Sequence, residues 1–235
     1  MLLPNMDRIS VVQSLQGNIG SGKTTLMREL KKSLCHRADV VFVEEPVDDW
    51  QVKRFAAGTQ SMLSAFYGDP AKYAFAFQVN AFCTRQRANV AASLAIPADV
   101  THATLITERS MSSDNHIFRK AMFESGQICE VSNHVYQEFS ALVTATWNQK
   151  ERVMIYLDVD YRVCHERLRR RARGEEIGVT LQYLAQLQQK HEEMLSEFSA
   201  GGGMVIRVPW IDTADDSEQR AEIVRDILRQ MLTPQ

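Results

Sequence analysis

Short apolar runs alternate with longer stretches of helical periodicity along this chain. Five runs are typical of buried strands, over residues 10–15, 39–44, 103–107, 152–157 and 204–208. Because the stretches between them are long enough for helical crossovers, we expect the strands to pair in parallel. The pattern therefore predicts an α/β fold, with a doubly wound parallel sheet and helices on both faces.

The helical stretches carry their own start and stop signals. After the first strand, leucines recur every four residues along one predicted helical face: Leu26, Leu30 and Leu34. Asp69 followed by Pro70 predicts the start of a helix that runs to about residue 94. Further helices are predicted over 180–198, ended by the glycines 201–203, and over 217–232.

The size and composition of the chain favour a single unit. It has 235 residues and 45% hydrophobic content, ample for one well-cored domain and short for two. No internal repeat, low-complexity tract or interdomain linker interrupts the alternation. We therefore expect one domain over residues 1–235.

Charge and cysteine usage narrow the classes of partner. With 27 basic and 29 acidic side chains, nothing indicates a nucleic-acid polymer or an anionic membrane as partner. The four cysteines lie far apart without metal-type spacing, so each is expected to be a small buried hydrophobe in a reduced, cytoplasmic protein: Cys35, Cys83, Cys129 and Cys164. No apolar run approaches the length of a membrane span, and the first residues carry no targeting signal.

A glycine-rich segment between the first strand and the first helix fits the phosphate-binding pattern GxxxxGK[ST] at every fixed position. This phosphate loop covers residues 17–25: Gly17, Asn18, Ile19, Gly20, Ser21, Gly22, Lys23, Thr24 and Thr25. Its backbone N–H groups and the helix dipole favour a polyphosphate, while Lys23 reaches the β/γ oxygens and Thr24 is a magnesium ligand. The pattern predicts an enzyme that uses ATP or another nucleoside triphosphate with Mg²⁺.

Ionisable groups follow three of the predicted strands, where ligands of open α/β sheets bind. Glu44 and Glu45 precede Pro46, and Glu108 and Arg109 follow the third strand. An arginine-rich helix follows the fourth strand, with Arg167, Arg169, Arg170, Arg171 and Arg173. Each group alone is also compatible with solvated surface, but their placement beside a phosphate loop favours a shared site.

Five motifs in order identify the chain as similar to the deoxyribonucleoside kinases. They are GNIGSGKTT from Gly17, EPxxxW from Glu45, YxDPxxYxxxFQ from Tyr67, ERS from Glu108 and RARxEE from Arg171. The resemblance runs nearly end to end. It implies a P-loop kinase fold with a five-stranded parallel sheet, an arginine-rich lid at about residues 167–178, and a homodimer. Family members phosphorylate the 5′-hydroxyl of deoxynucleosides.

The resemblance also implies catalytic roles. Glu45 would be the general base, held with the 5′-oxygen by Arg109, while Lys23 serves the phosphates and Glu108 joins Thr24 at the magnesium. The lid arginines Arg167, Arg171 and Arg173 would close over the donor. These roles agree with the needs of phosphoryl transfer, which are mainly positioning and charge stabilisation.

Acceptor binding follows from the same resemblance. Tyr67 and Glu176 would hold the 3′-hydroxyl. Around the base, Phe77 and Phe118 would flank the ring, Gln78 would read its hydrogen-bonding edge, and Ile19, Trp50 and Phe66 would form an apolar wall. Three further positions, Ala81, Arg85 and Asp114, bear on base choice.

The Arg85 and Asp114 pair is the combination seen in deoxycytidine and deoxyguanosine kinases, whereas thymidine-accepting relatives have apolar residues there. We expect deoxycytidine or purine deoxynucleosides to be preferred over thymidine. The residues do not separate deoxycytidine from the purines, ATP from other donors, or deoxyribose from ribose.

Two other classes remain open. A thymidylate-type monophosphate kinase shares the phosphate loop and sheet, but it carries an arginine where this chain has Glu44, which would repel an acceptor phosphate. A non-catalytic nucleotide-binding module would use the arginine helix as an interaction surface, and would leave Glu45, Tyr67, Gln78 and Glu176 unexplained.

Overall fold

The computed structural model describes residues 6–147, 151–172, 174–210 and 217–232. Five strands form one parallel sheet in the order β2-β3-β1-β4-β5. They are β1 (Ile9–Gln16), β2 (Val40–Val43), β3 (Ala103–Glu108), β4 (Glu151–Leu157) and β5 (Met204–Val208). The sequence prediction of five parallel strands is confirmed, with boundaries that differ by at most one residue.

Helices connect the strands. They are α1 (Lys23–Ser33), α2 (Val47–Gln51), α3 (Met62–Gly68), α4 (Pro70–Leu94), α5 (Met111–Ser113), α6 (Lys120–Glu124), α7 (Glu130–Trp147), α8 (Tyr161–Arg171), α9 (Leu181–Ala200) and α10 (Ser217–Leu232). Short 3₁₀ turns cover Met6–Arg8, Ala56–Gly58 and Gly174–Gly178, and a π-helical segment covers Asp114–Arg119.

The start of α4 follows the predicted capping chemistry. The Asp69 side chain accepts a hydrogen bond from the Lys72 backbone N–H at 3.2 Å, and Pro70 occupies the first helical position. Proline is tolerated there because the missing N–H would have no helical acceptor. The helix ends at Leu94, as predicted.

Neighbouring strand residues pack into different clusters on the two faces of the sheet. Ile106 of β3 belongs to a cluster with Leu26 and Leu30 of α1, whereas Leu105 belongs to one with Trp147 of α7. Successive side chains of a strand point to opposite faces. Both faces are therefore covered by helices, and the functional groups are left at the carboxyl edge.

Helices α2, α3, α5, α6 and α7 and the π-helical segment were not predicted from the sequence. Apolar residues of α7 point outward, with Val131 74% and Leu142 67% exposed, so the helix lacks a clean buried stripe. The short helices α2 and α3 consist of five and seven residues, too few for a periodic pattern to stand out.

The expectation of four buried cysteines was wrong for three of them. Cys35, Cys83 and Cys129 are exposed and only Cys164 is buried, and all are free thiols. Cys35 follows the end of α1, and Cys83 points away from the core beside the buried Phe82 on α4. Neighbouring helical residues do not share a face, so an apolar neighbour does not predict burial.

Within the part of the chain that the structure describes, no helix combines the length and apolar character needed to cross a membrane.

Candidate functional site

A cavity of about 290 Å³ opens at the carboxyl ends of β1, β2 and β3. Most of the residues expected to bind substrates line it. These are Ile19, Gly20, Gly22, Lys23, Thr24, Thr25, Glu45, Trp50, Phe66, Tyr67, Phe77, Gln78, Ala81, Arg85, Glu108, Arg109, Asp114, Phe118, Arg167, Arg171 and Glu176. The fold thus brings together motifs that are far apart in sequence.

The phosphate loop runs from the residue after β1 into the first turn of α1, as its mechanism requires. Gly17 has φ +144°, and a Cβ there would lie 2.7 Å from the Ser21 Oγ atom. Asn18 connects the loop to α9, because its side-chain amide donates to the Leu184 carbonyl at 2.8 Å. Gly17, Asn18 and Ser21 support the loop but do not line the cavity.

Lys23 reaches across its own loop. Its ammonium group donates to the carbonyls of Gly17 at 3.2 Å and Asn18 at 2.9 Å. Burial and the nearby Arg109 lower the pKa of Lys23 to about 7, although Glu108 and Glu45 act in the opposite direction. A bound polyphosphate would stabilise the charged form of this lysine.

Thr24 and Glu108 form an oxygen pair beside Lys23. The Thr24 hydroxyl donates to Glu108 Oε1 at 2.9 Å. Burial, followed by the charge of Glu45, raises the pKa of Glu108. Among the described residues no group of three His, Cys, Asp or Glu side chains is placed to hold a metal ion. A hydroxyl and one carboxylate suit Mg²⁺, which takes its other ligands from phosphates and water.

Glu45 sits between two guanidinium groups. Its Oε1 atom accepts a hydrogen bond from Arg85 Nη2 at 3.1 Å and lies 3.2 Å from Arg109 Nε. Burial alone would raise the pKa of Glu45, but the charges of Arg109 and Arg85 outweigh it and lower the pKa. Glu45 is therefore a carboxylate at neutral pH and can accept a proton.

Arg109 adopts a backbone conformation that is rare for a side chain with a Cβ. Its φ is +65°, immediately after β3 ends. The guanidinium carbon lies 4.7 Å from the centre of the Phe118 ring, and the side chain is buried. Such strained positions concentrate at functional sites, where the surrounding structure holds them.

Arg85 and Asp114 form a buried ion pair in the wall of the cavity. Arg85 donates through Nε to Asp114 Oδ2 at 2.9 Å and through Nη2 to Oδ1 at 3.2 Å. A third bond runs from Arg85 Nη1 to the Glu108 carbonyl at 3.0 Å. Gln78 donates to the backbone carbonyl of Asp114 at 3.0 Å. The polar wall is therefore held in place before any ligand binds.

The π-helical segment brings Asp114 to this wall. Asp114, Phe118 and Met122 are four residues apart and all line the cavity. Residues four apart on a helix lie on one face, so the three side chains can reach the same wall.

Aromatic rings form the apolar part of the wall. Phe66 and Phe77 stack with ring centres 4.6 Å apart, and Trp50 meets Phe77 edge-on at 5.5 Å. The Trp50 indole N–H donates to the Thr84 hydroxyl at 2.8 Å. Offset and edge-to-face arrangements of this kind favour a flat ring as the next neighbour.

The expected lid lies at the mouth of the cavity. Arg167 donates to the Ser21 carbonyl of the phosphate loop at 3.0 Å. Arg171 pairs with Glu176, with its Nη2 atom 2.6 Å from Glu176 Oε1. From the resemblance, Arg171 was expected to face the donor phosphates and Glu176 the sugar. In this structure the two side chains contact each other. Arg173 lies outside the described residues.

Four lining residues were missed by the sequence analysis: Val47, Leu63, Met122 and Tyr183. Val47 and Leu63 belong to the short helices α2 and α3. Tyr183 lies in the first turn of α9, and burial raises the pKa of its hydroxyl. Only the placement of α9 over the sheet distinguishes Tyr183 from an ordinary core aromatic.

Comparison with known proteins agrees with this geometry. A probable deoxycytidine kinase of fowlpox virus (strain NVSL) is 31% identical over 220 residues, covering 91% of this chain and 85% of the relative. Deoxycytidine kinase 2 of Gallus gallus is 32% identical over 197 residues, covering 78% and 73%. The mitochondrial deoxyguanosine kinase of Xenopus laevis is 30% identical over 195 residues, covering 78% and 72%.

The deoxynucleoside kinase family model matches residues 13–233. That range contains the phosphate loop, the carboxylates after β2 and β3, and the arginine helix α8. The match does not favour the thymidylate kinase alternative. The chain belongs to the deoxynucleoside kinase family.

Proposed function

We propose that this deoxynucleoside kinase transfers the γ-phosphate of ATP to the 5′-hydroxyl of deoxycytidine or a purine deoxynucleoside, in preference to thymidine. The observation that carries the base preference is the buried ion pair of Arg85 and Asp114 in the cavity wall. The named relatives are deoxycytidine kinases and a deoxyguanosine kinase, which supports the same preference.

The chemistry of the pair explains this preference. An aspartate carboxylate accepts hydrogen bonds, so it suits the exocyclic amino group of cytosine or adenine and opposes the O4 carbonyl of thymine; by the same rule it does not favour the O6 carbonyl of guanine. Arg85 fills the remaining space and donates hydrogen bonds to three partners: the Asp114 carboxylate, the Glu108 carbonyl and the Glu45 carboxylate. A thymine methyl group would have to displace buried charges from their partners, which costs more than a missing apolar contact.

Gln78 supports the reading of the base edge. Its amide N–H₂ group donates to the Asp114 carbonyl, so the orientation of the amide is fixed. The amide oxygen is then the group left to accept from a base N–H. Phe77 and Phe118, with Trp50, Phe66 and Ile19, would hold the flat ring between them, and Ala81 leaves space beside it.

Glu45 is the proposed general base. Because its pKa is lowered, it is ionised at neutral pH and can accept the proton of the 5′-hydroxyl as the new P–O bond forms. Arg109, 3.2 Å away, would orient Glu45 and stabilise charge that develops on the transferred phosphoryl group.

The donor would bind at the phosphate loop. Lys23 would leave the carbonyls of Gly17 and Asn18 for the β/γ oxygens, and Thr24 with Glu108 would hold Mg²⁺. The lid residues Arg167, Arg171 and Arg173 would add positive charge over the phosphates. Tyr67 and Glu176, which both line the cavity, would hold the 3′-hydroxyl.

We further propose a homodimer in the cytoplasm. An exposed apolar stripe on α7, formed by Val131, Val135 and Leu142, supports pairing with a second copy. The four free cysteines support a reducing compartment. Sedimentation of the purified chain would distinguish monomer from dimer, and Leu142→Glu should shift a dimer towards monomer.

The experiment that tests the activity is turnover with ATP, with and without magnesium, on deoxycytidine, deoxyguanosine, deoxyadenosine, thymidine and thymidine monophosphate. The proposal expects magnesium-dependent phosphorylation of free nucleosides, led by deoxycytidine or a purine. Thymidine as the best substrate would refute the base preference. Turnover of the monophosphate alone would point to a monophosphate kinase, and no turnover to a nucleotide-binding module.

A further inference from the structure

Trp210 contacts the phosphate loop from behind, outside the substrate cavity. It follows β5 by two residues, is only 3% exposed and belongs to the main core cluster. It is not among the residues that line the cavity. Its position connects the chain that leaves β5 with the loop that leaves β1.

The contact is with Gly22, the residue that caps the N-terminus of α1. A Cβ on Gly22 would lie 2.4 Å from Nε1 and 2.6 Å from Cδ1 of the indole, so the pyrrole edge rests against the glycine backbone. Gly22 has φ +102°, and its carbonyl accepts hydrogen bonds from the backbone N–H groups of Thr25 and Leu26, both at 3.0 Å. The next residues are Lys23 and Thr24, which contact phosphate and magnesium in the proposed function.

The contact between Trp210 and Gly22 depends on the shape of the indole and not on a hydrogen bond. The Trp210 Nε1–H group is buried and has no hydrogen-bond acceptor within the described part of the chain. A buried N–H without an acceptor is unfavourable, so hydrogen bonding does not explain why an indole occupies this place. What the indole provides is a rigid edge that fills the space behind Gly22 and limits how far the loop can move back.

We propose that Trp210 is a positioning residue for the triphosphate donor: by bracing Gly22, it holds the phosphate loop and the first turn of α1 in the geometry that receives the phosphates. The proposal rests on the proposed use of the phosphate loop for the donor. It assigns Trp210 to donor binding and not to the acceptor, because Trp210 contacts Gly22 of the phosphate loop and is not among the residues that line the cavity.

Kinetics of Trp210→Ala and Trp210→Phe test this assignment. Without the edge behind Gly22 the loop can retreat, so KM for ATP should rise about tenfold in Trp210→Ala, whereas KM for the nucleoside stays within about twofold. Trp210→Phe keeps an aromatic edge and should recover most of the donor affinity. A parallel rise of both KM values, or unchanged kinetics with only a lower melting temperature, would show a purely structural role.

A double-mutant cycle tests the contact itself. Gly22→Ala is strained by its positive φ in any background, and it also collides with the indole. The loss of donor affinity caused by Gly22→Ala should therefore be smaller in Trp210→Ala than in the wild type, because residues in contact are not additive. Strictly additive losses would refute the bracing contact.

A fluorescence titration separates this proposal from the kinase assignment. The variant Trp50→Phe/Trp147→Phe keeps Trp210 as its single tryptophan, since the chain has three. A non-hydrolysable ATP analogue should change the Trp210 emission saturably; the variant serves for donor binding alone, because Trp50 belongs to the proposed acceptor wall. If the panel of nucleosides shows no turnover but this titration saturates, the kinase proposal fails while the positioning role stands. A flat titration of this variant, beside normal turnover of the wild-type chain, would refute the positioning role alone.

Discussion

Arg85 places its Nη2 atom 3.1 Å from Oε1 of Glu45, while its Nε atom binds Asp114. One guanidinium group therefore contacts both the carboxylate proposed to read the base and the carboxylate proposed to accept the 5′-proton. In the proposed function, base recognition and proton transfer therefore share a residue, so we expect changes in base preference to alter turnover as well.

The double variant Arg85→Met/Asp114→Ala tests the base preference. Removing both charges opens apolar space for the thymine methyl group and removes the carboxylate that opposes O4. The ratio of kcat/KM for thymidine to that for deoxycytidine should rise at least tenfold, a change worth about 1.4 kcal/mol. Steady-state kinetics on both nucleosides provide the measurement. An unchanged ratio would remove the pair from the specificity determinants.

Asp114→Ala alone should be more harmful to stability than the double variant. It leaves the Arg85 charge buried with only Glu45 as a charged partner, and breaking a buried pair on one side typically costs about 3–5 kcal/mol. Chemical denaturation of the wild type, the single variant and the double variant gives the comparison. A single variant as stable as the double one would mean that the buried charge finds compensation elsewhere.

Glu45→Gln separates catalysis from binding. The amide keeps the size of the side chain but cannot accept the 5′-proton, so kcat should fall by about a hundredfold or more. Triphosphate affinity should stay close to that of the wild type, because Lys23 and the phosphate loop are untouched. Single-turnover kinetics and equilibrium binding measure the two effects. If kcat were retained, Glu45 would not be the general base.

The lowered pKa of Lys23 predicts how donor affinity depends on pH. With a pKa of about 7 in the free enzyme, Lys23 is charged below pH 7 and increasingly neutral above it. Bound phosphates favour the ammonium form and raise the pKa, so binding takes up a proton above pH 7 and affinity falls by up to about tenfold per pH unit.

Calorimetry at pH 8 in two buffers of different ionisation enthalpy would measure this proton uptake. At pH 6 the uptake should vanish. In Lys23→Arg the side chain stays charged throughout, so the pH dependence should flatten even if affinity is lower. Equal uptake at both pH values would assign the proton to another group.

The strands, α4 and the phosphate loop could be predicted from sequence because their signals are local. Asp69 and Pro70 cap α4 without help from the rest of the fold, and the loop pattern is a contiguous segment. The pairing of Arg85 with Asp114 is different, since those residues come from α4 and the π-helical segment. Family resemblance named both residues, but only the structure gives their bidentate contact.

Other site features have no local signal at all. Tyr183 reaches the cavity only because α9 packs over the sheet, and Asp114 and Phe118 come from a π-helical segment that no residue pattern predicts. The Arg171–Glu176 contact was also not predicted. Arg171 was expected to bind the donor phosphates and Glu176 the sugar, so neither was considered as a partner for the other.

In the proposed function, Glu176 competes with the donor phosphate for Arg171, and Arg171 competes with the sugar for Glu176. A donor phosphate that bound Arg171 would break this ion pair, and so would a sugar that bound Glu176. By thermodynamic reciprocity, each substrate should then tighten the binding of the other by one common factor. Since Arg171 is partly exposed to solvent, that factor should be modest, on the order of a few-fold. Nucleoside titrations with and without a non-hydrolysable triphosphate would measure this cooperativity, and Arg171→Ala should abolish it.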